Sequence, residues 1–260
     1  MKQILAILIL SSLTLGLQAQ KKEKAPKQEK TEKAEKTETT QATDNTQSQD
    51  SLSYPEMQMR KYYSIYQLAN QFNDPAVARM ALYEMLMYTG NQPALLDTLA
   101  ITYYAANQFA SSALVAQENL MINPDNETAL EIAALSFQNL GVLTRALDNY
   151  ESLFLKNNNT NTLYQMAFLQ YQLKRYKESK TSTDLLLQRK DVDEIQLVFN
   201  KIDKSTQEVS MRAALLNLQG LIAKEEGRKE DAKKLFLDAL NVAPGFELPQ
   251  ANLSKLTKGQ

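Results

Sequence analysis

Three residue types are missing altogether from this 260-residue chain: cysteine, histidine and tryptophan. Without cysteine there is no disulfide framework, and without cysteine or histidine there is no zinc site of the usual thiolate or imidazole kind. A Ser-His-Asp triad and a cysteine nucleophile are excluded too, because each lacks a required atom. Acid–base chemistry is left to Asp, Glu, Lys and Tyr, a narrower set. Neither sign of charge dominates, since 29 basic and 30 acidic residues give a net charge of −1. That balance offers no basic footprint for nucleic acid. Glycine and proline are sparse, at 7 each. A loop-rich or β-rich chain needs more, so the composition favours helices.

What is present begins with an apolar leader. Residues 1–20 read MKQILAILILSSLTLGLQAQ. Lys2 supplies a positive start, Ile4 to Leu10 is an unbroken apolar run extended to Leu17, and the small Ala19 follows it. This is the layout of a secretory signal peptide cleaved after Ala19. The apolar stretch is about 14 residues, short of the roughly 20 that span a membrane. The lack of cysteine excludes a lipoprotein anchor. The expected location is therefore the bacterial periplasm, with no stable membrane anchor after cleavage. Residues 20–53 contain almost nothing apolar. Such a segment cannot bury enough surface to offset its ordering entropy, and a flexible charged tether is expected there. Within it, Asp50-Ser51-Leu52 resembles the Asp-Ser/Thr-apolar acceptor of a periplasmic O-glycosylation system. Ser51 is thus a candidate modification site, although Asp97-Thr98-Leu99 matches the same short pattern inside an expected helix.

From residue 54 to 260 a helical pattern repeats. One unit near the C-terminus carries Leu216, Gly220, Ala232, Phe236, Ala239 and Pro244. Matching positions recur upstream, as in Leu96, Leu99, Ala100, Tyr103, Ser112 and Pro124, and again in Leu130, Ala134, Phe137, Ala146 and Tyr150. A further unit has Leu163, Ala167, Ser179 and Leu186, and a degenerate first one has Tyr62, Ile65, Ala78 and Leu82. This pattern resembles the tetratricopeptide repeat (TPR), a helix–turn–helix unit of about 34 residues. The resemblance implies an all-α, right-handed superhelix of about five units, starting near 59, 93, 127, 160 and 213. In that register the eighth and twentieth residues of a unit meet where its two helices cross most closely, and only small side chains fit there. The pairs are Ala100 with Ser112, Ala134 with Ala146, Ala167 with Ser179 and Gly220 with Ala232. The first unit breaks the rule with Tyr66 opposite Ala78. The last step between units is 53 residues against 34, 34 and 33 before it, which leaves an insertion at about 190–209. Ile195, Leu197 and Phe199 alternate with other residues, Lys201–Ser205 is turn-like, and Thr206–Ser210 is strand-compatible. Either a small β-hairpin or an irregular helix fits, with the hairpin favoured. Residues 247–260 are expected to cap the last unit through Leu253 and Leu256.

The TPR resemblance implies a non-enzymatic scaffold that binds a protein partner on a concave face and needs no cofactor or metal. In such arrays positions 2, 5, 9 and 12 of each first helix line that face. Here they include Tyr63, Gln67 and Asn70, then Asp97, Ile101 and Tyr104, then Glu131, Leu135 and Gln138, then Tyr164, Phe168 and Tyr171. Forms of the fold that capture a C-terminal carboxylate use Lys, Arg and Asn there. Units two to four have no basic group at these positions and place Asp97 and Glu131 instead. A groove that is Tyr-rich, mildly acidic and suited to an internal or folded partner segment bearing Lys or Arg is expected. Other charged clusters carry less. Glu225 and Glu226 are adjacent on a helix and point about 100° apart, so they do not converge on a substrate. Lys174, Arg175, Lys177 and Lys180 are interleaved with acidic residues and read as a mixed-charge face. No Walker pattern is present. The alternative to a protein-binding scaffold is a module for glycan or peptidoglycan fragments, against which the lack of tryptophan weighs, because sugar faces commonly stack on large aromatics. The leader generates a first prediction: the intact mass of the exported protein corresponds to a chain beginning at Gln20, and a mass retaining residues 1–19 contradicts it.

Overall fold

The computed structural model describes residues 52–257. The expected leader 1–19, the tether up to residue 51 with its candidate acceptor Ser51, and residues 258–260 lie outside the described residues. Helices come in antiparallel pairs: α1 (Tyr54–Gln71) with α2 (Pro75–Thr89), α3 (Pro93–Ala105) with α4 (Phe109–Ile122), and α5 (Glu127–Asn139) with α6 (Leu143–Asn157). They continue with α7 (Thr160–Gln172) and α8 (Tyr176–Leu187), then α9 (Met211–Glu225) and α10 (Lys229–Val242), and end in a single helix, α11 (Glu247–Thr257). Each pair packs on the next, as an all-α array of TPR type requires.

At α2, α5, α7 and α9 the helix start is set by a side chain that satisfies free N–H groups of the first turn. Asp74 accepts the Val77 N–H at 3.1 Å, and Pro75 follows it at the first helical position. Asn126 accepts from Ala129 at 3.1 Å, Asn159 from Asn161 at 2.8 Å and Ser210 from Ala213 at 3.4 Å. At the head of α1 the Glu56 carboxylate takes the Ser53 N–H at 2.8 Å and its hydroxyl at 2.7 Å. Those two bonds hold the Glu56 carboxyl below its ordinary pKa.

The turn inside each pair is the same turn five times. Counted from 59, 93, 127, 160 and 213, the fifteenth residue is always left-handed: Asn73 at φ 54°, Asn107 at 56°, Gly141 at 73°, Lys174 at 61° and Gly227 at 80°. The N–H that follows donates to the carbonyl of the eleventh residue, from Asp74 to Ala69 at 2.7 Å through Arg228 to Ala223 at 2.8 Å. This is the Schellman closure of a helix C-terminus, which glycine and asparagine accommodate and longer side chains resist.

The small pairs sit where the helices cross. Ser112 donates its hydroxyl to the Ala100 carbonyl at 2.9 Å, and Ser179 donates to Ala167 at 2.6 Å. Ala134 and Ala146 are both fully buried. A Cβ on Gly220 would lie 2.5 Å from Cε1 of Phe236, so glycine there is what lets the aromatic ring of α10 lie on α9. Tyr66, the exception, is half-buried beside Met59 and Tyr62 against Leu82, Met85 and Leu86.

The insertion is the hairpin. Strand β1 (Gln196–Asn200) pairs antiparallel with β2 (Thr206–Ser210), Gln196 opposite Ser210 and Asn200 opposite Thr206. Phe199 and Val209 are buried, with Ile195 and Leu197 packed beside them on the main core. The Phe199 ring lies 5.0 Å from that of Phe246, just before α11. Polar contacts fasten the same segment on both sides. Thr160, at the head of α7, donates to Asp191 at 2.6 Å, Arg212 grips Asp193 at 2.5 and 2.9 Å, and the Ile202 N–H donates to Glu247 at 2.8 Å. Beyond it, Leu253 and Leu256 of α11 cover Ala223, Ala232 and Phe236.

The repeated turn makes a direct prediction. Lys174 carries the steric cost of a left-handed conformation that glycine does not. Lys174→Gly therefore stabilises the protein by about 1 kcal/mol, and Gly227→Lys destabilises it by about the same amount. Denaturant unfolding of the two variants beside the parent checks both signs.

Candidate functional site

The concave side is formed by the first helices of successive units, α3 and α5 lying in direct contact there. On α1, Tyr63 is exposed and its hydroxyl accepts the Gln67 amide at 2.7 Å, while Asn70 donates to the Tyr66 carbonyl at 2.9 Å. These three share one exposed face. Asp97 on α3 has a structural partner set. It accepts from Asn119 at 2.7 Å and from Asn126 at 2.9 and 3.1 Å. Asn126 is the residue that caps α5, so Asp97 ties the second unit to the third. Its oxygens are engaged by these amides, which gives it a structural role beside the groove.

The middle of the groove is aromatic. Ile101 and Tyr104 are half-buried against the main core, and Phe168 and Tyr171 on α7 are placed likewise. Tyr104 packs edge-on to Phe109 at 5.4 Å, and its hydroxyl accepts a long bond of 3.3 Å from Asn139. Burial pushes its pKa up, and the Asn139 bond opposes that. Tyr171 lies 5.8 Å from Tyr176, and burial, with help from the nearby Glu225 charge, pushes its hydroxyl up to about 12.

Two expected lining residues prove to be core. Tyr164 is 4% exposed and Leu135 is 8% exposed. The reason is close packing of the neighbours. Helix α5 carries Ala133, Ala134 and Ser136, all fully buried, so α3, α4 and α6 approach until little of Leu135 is left uncovered. Helix α7 is flanked by α6 and α8, and its first residue, Thr160, is bonded to the insertion. Gln138 is half-buried, and its side-chain oxygen accepts from the buried Tyr150 hydroxyl at 3.3 Å.

Glu131 is the distinctive group. It is solvent-exposed and has no ion-pair partner among the described residues. The groove walls still remove enough water from its carboxyl to raise its pKa above the ordinary 4.5. Its charge acts in turn on the hydroxyls of Tyr104 and Tyr150. Of the twenty residues at the four groove positions in the five units, only Arg60 in the first and Lys224 in the last are basic. Sequence reasoning missed Tyr176 and Glu225 as groove neighbours. Glu226 turns away to Arg228 at 2.5 Å, whereas Glu225 points its charge toward Tyr171 and Tyr176. The divergence of adjacent helical residues, used to dismiss the pair as a catalytic dyad, was the signal that could have separated them.

A carboxyl whose pKa is raised by folding costs stability when ionised. The cost is absent below the ordinary value and complete above the raised one. Glu131→Gln is therefore more stable than the parent at about pH 7, and the difference disappears at about pH 4. Urea unfolding at the two pH values measures it.

No family model matches the sequence, and no curated protein matches it. Solved structures do match in three dimensions. A tetratricopeptide repeat protein from Parabacteroides merdae ATCC 43184 is 17% identical with a TM-score of 0.59, over 77% of this chain and 72% of that one. MamA from Desulfovibrio magneticus RS-1, from its residue 41 to its end, is 12% identical with a TM-score of 0.56, over 71% and 94%. YrrB, a TPR protein with an unusual peptide-binding site, is 12% identical with a TM-score of 0.60, over 74% and 89%. At these identities the likeness is one of fold. Five pairs closed by one turn, small residues at the crossings and these neighbours together give one conclusion: residues 52–257 have the tetratricopeptide-repeat fold.

Proposed function

We propose that the chain is a periplasmic scaffold that holds an extended segment of a partner protein in its concave groove. The leader at residues 1–19 motivates the location. The observation that carries the binding reading is Glu131, a partly desolvated carboxylate with no ion-pair partner among the described residues, whose charge reaches the half-buried Tyr104; Phe168 and Tyr171 are the half-buried groove aromatics of the next unit. An ionised group in that setting gains most from a cation supplied by a ligand. Aromatic anchors beside it are where binding energy concentrates. That YrrB, of the same fold, is a peptide-binding protein supports the class of ligand. The partner segment is internal, because the middle units offer a terminal carboxylate no cation. It carries Lys or Arg against Glu131 and apolar side chains against the aromatics.

Panning a random-peptide library against the full chain tests this. The enriched peptides carry Lys or Arg and bind equally well with a free or an amidated C-terminus. Tyr104→Ala, Phe168→Ala and Tyr171→Ala each weaken the best binder by about tenfold or more with helix content unchanged by circular dichroism. Enrichment of acidic peptides, or affinity unchanged in all three variants, contradicts the proposal. Capture of peptidoglycan fragments in place of peptides would favour the glycan alternative.

A further inference from the structure

One side of α1 is only thinly covered among the described residues: Tyr54, Met57, Leu68 and Phe72 are exposed, and Ile65 is half-buried. Tyr54, Met57, Lys61, Ile65, Leu68 and Phe72 recur every three or four residues and so form a single stripe. The core side of the helix is different, made by Met59, Tyr62 and Tyr66 with the buried Ala69, and the groove side is Tyr63, Gln67 and Asn70. Leu68 is 53% exposed and Phe72 is 73% exposed.

Later units show what such a stripe does. The seventh and tenth residues of a first helix face the second helix of the unit before. Ser136, tenth in its unit, donates to the Ser112 hydroxyl at 3.0 Å. Gln219, seventh in its unit, donates to Thr183 at 3.0 Å and Asp184 at 2.7 Å. Apolar residues at these places, among them Leu99, Ala133, Leu169 and Ile222, are buried. In the first unit the same two places are Ile65 and Leu68. Helix α1 therefore presents an interior-type face, continuous in register with the inter-unit interface of the rest of the array.

The adjoining sequence has little apolar surface to offer it. Residues 20–51 contain no apolar side chain larger than alanine except Pro26. Nor can copies stack head to tail, since α11 occupies the opposite end of the array through Leu253 and Leu256. Like end must then meet like end, which closes the assembly at two copies. The stripe is suited to that. About a midpoint near residue 63 it reads alike in both directions, with Tyr54 mirrored by Phe72, Met57 by Leu68 and Lys61 by Ile65. A second α1 laid antiparallel sets aromatic against aromatic and aliphatic against aliphatic. The stem of the one charged residue, Lys61, covers Ile65 of the second copy while its ammonium stays in water. An 18-residue helix is about 27 Å long, and two such faces with their flanks bury on the order of the 1,000 Å² that a stable contact needs.

We propose that the protein is a two-fold symmetric dimer joined through the stripe that runs from Tyr54 on α1 to Phe72 at its C-terminal cap. Light scattering of the full chain at tens of micromolar gives the mass of a dimer, and Leu68→Glu combined with Phe72→Glu reduces it to that of a monomer with helix content unchanged. A monomeric parent overturns the proposal. So does an unaltered mass in the double variant, which would assign association to the apolar leader or another surface. Should the double variant lose helix, a second measurement decides. The chain has no cysteine, so Lys61→Cys presents one thiol, about one helical turn from its counterpart across the two-fold. A short bifunctional thiol reagent links it into a covalent dimer and leaves Leu237→Cys, an exposed site on α10, monomeric. Equal yields at the two sites, or none at residue 61, overturn the proposal.

Discussion

Two helices can lie against each other only as closely as their bulkiest contact allows, and this array depends on one contact being minimal in each unit after the first. At Ala100 with Ser112 and Ala167 with Ser179 the contact is close enough for a hydroxyl to reach the carbonyl of the facing helix. That bond matters because a buried hydroxyl without a partner is costly, whereas here serine is both small and satisfied. At Gly220 the space left by the missing Cβ is filled by the Phe236 ring. The crossing then sets where every other side chain of the unit points, including those that reach the concave side.

The groove inherits its character from that packing. Small residues along α5 draw the neighbouring helices together until Leu135 passes into the core, and α6 and α8 flank α7 closely enough to bury Tyr164. What remains accessible is the outer row, Tyr104, Phe168 and Tyr171, together with Glu131. A carboxylate in such surroundings loses solvent without gaining a counter-ion, which is why its proton affinity rises. Asp97 has similar chemistry and a different fate, since Asn119 and Asn126 satisfy it and turn it into a link between units. Two acidic residues in equivalent places thus divide into one that bonds across units and one with no ion-pair partner among the described residues.

Much of this architecture is legible in the sequence because it is repeated. The small pairs at a separation of 12 locate the crossings, and the long last step locates the hairpin. The left-handed fifteenth residue was an equally plain signal, with Asn or Gly in four of five units, but Lys174 hides it in the fourth. The groove was less legible. Repeat position says which way a residue points and not how far its neighbours advance over it, so Leu135 and Tyr164 look no different from Phe168 in sequence. The partners of Asp97 come from another helix and from the next unit, 22 and 29 residues away, and no local pattern announces them. The role of Glu225 depended on a one-residue difference in helical direction from Glu226, which only the packed neighbours make visible.

The hairpin also divides the array mechanically. An ordinary unit is held by its two neighbours alone, and so can open when one of them leaves. The segment 191–210 instead reaches from Thr160 at the head of α7 to Phe246 and Glu247 before α11. It fastens the last two units and the cap to one another across a long stretch of chain. Among the described residues the opposite end has no such brace, since α1 packs chiefly on α2. In an isolated copy, opening therefore begins at α1 and becomes harder toward α9, so a force applied at the N-terminal end of α1 peels units in sequence and stalls at the braced half.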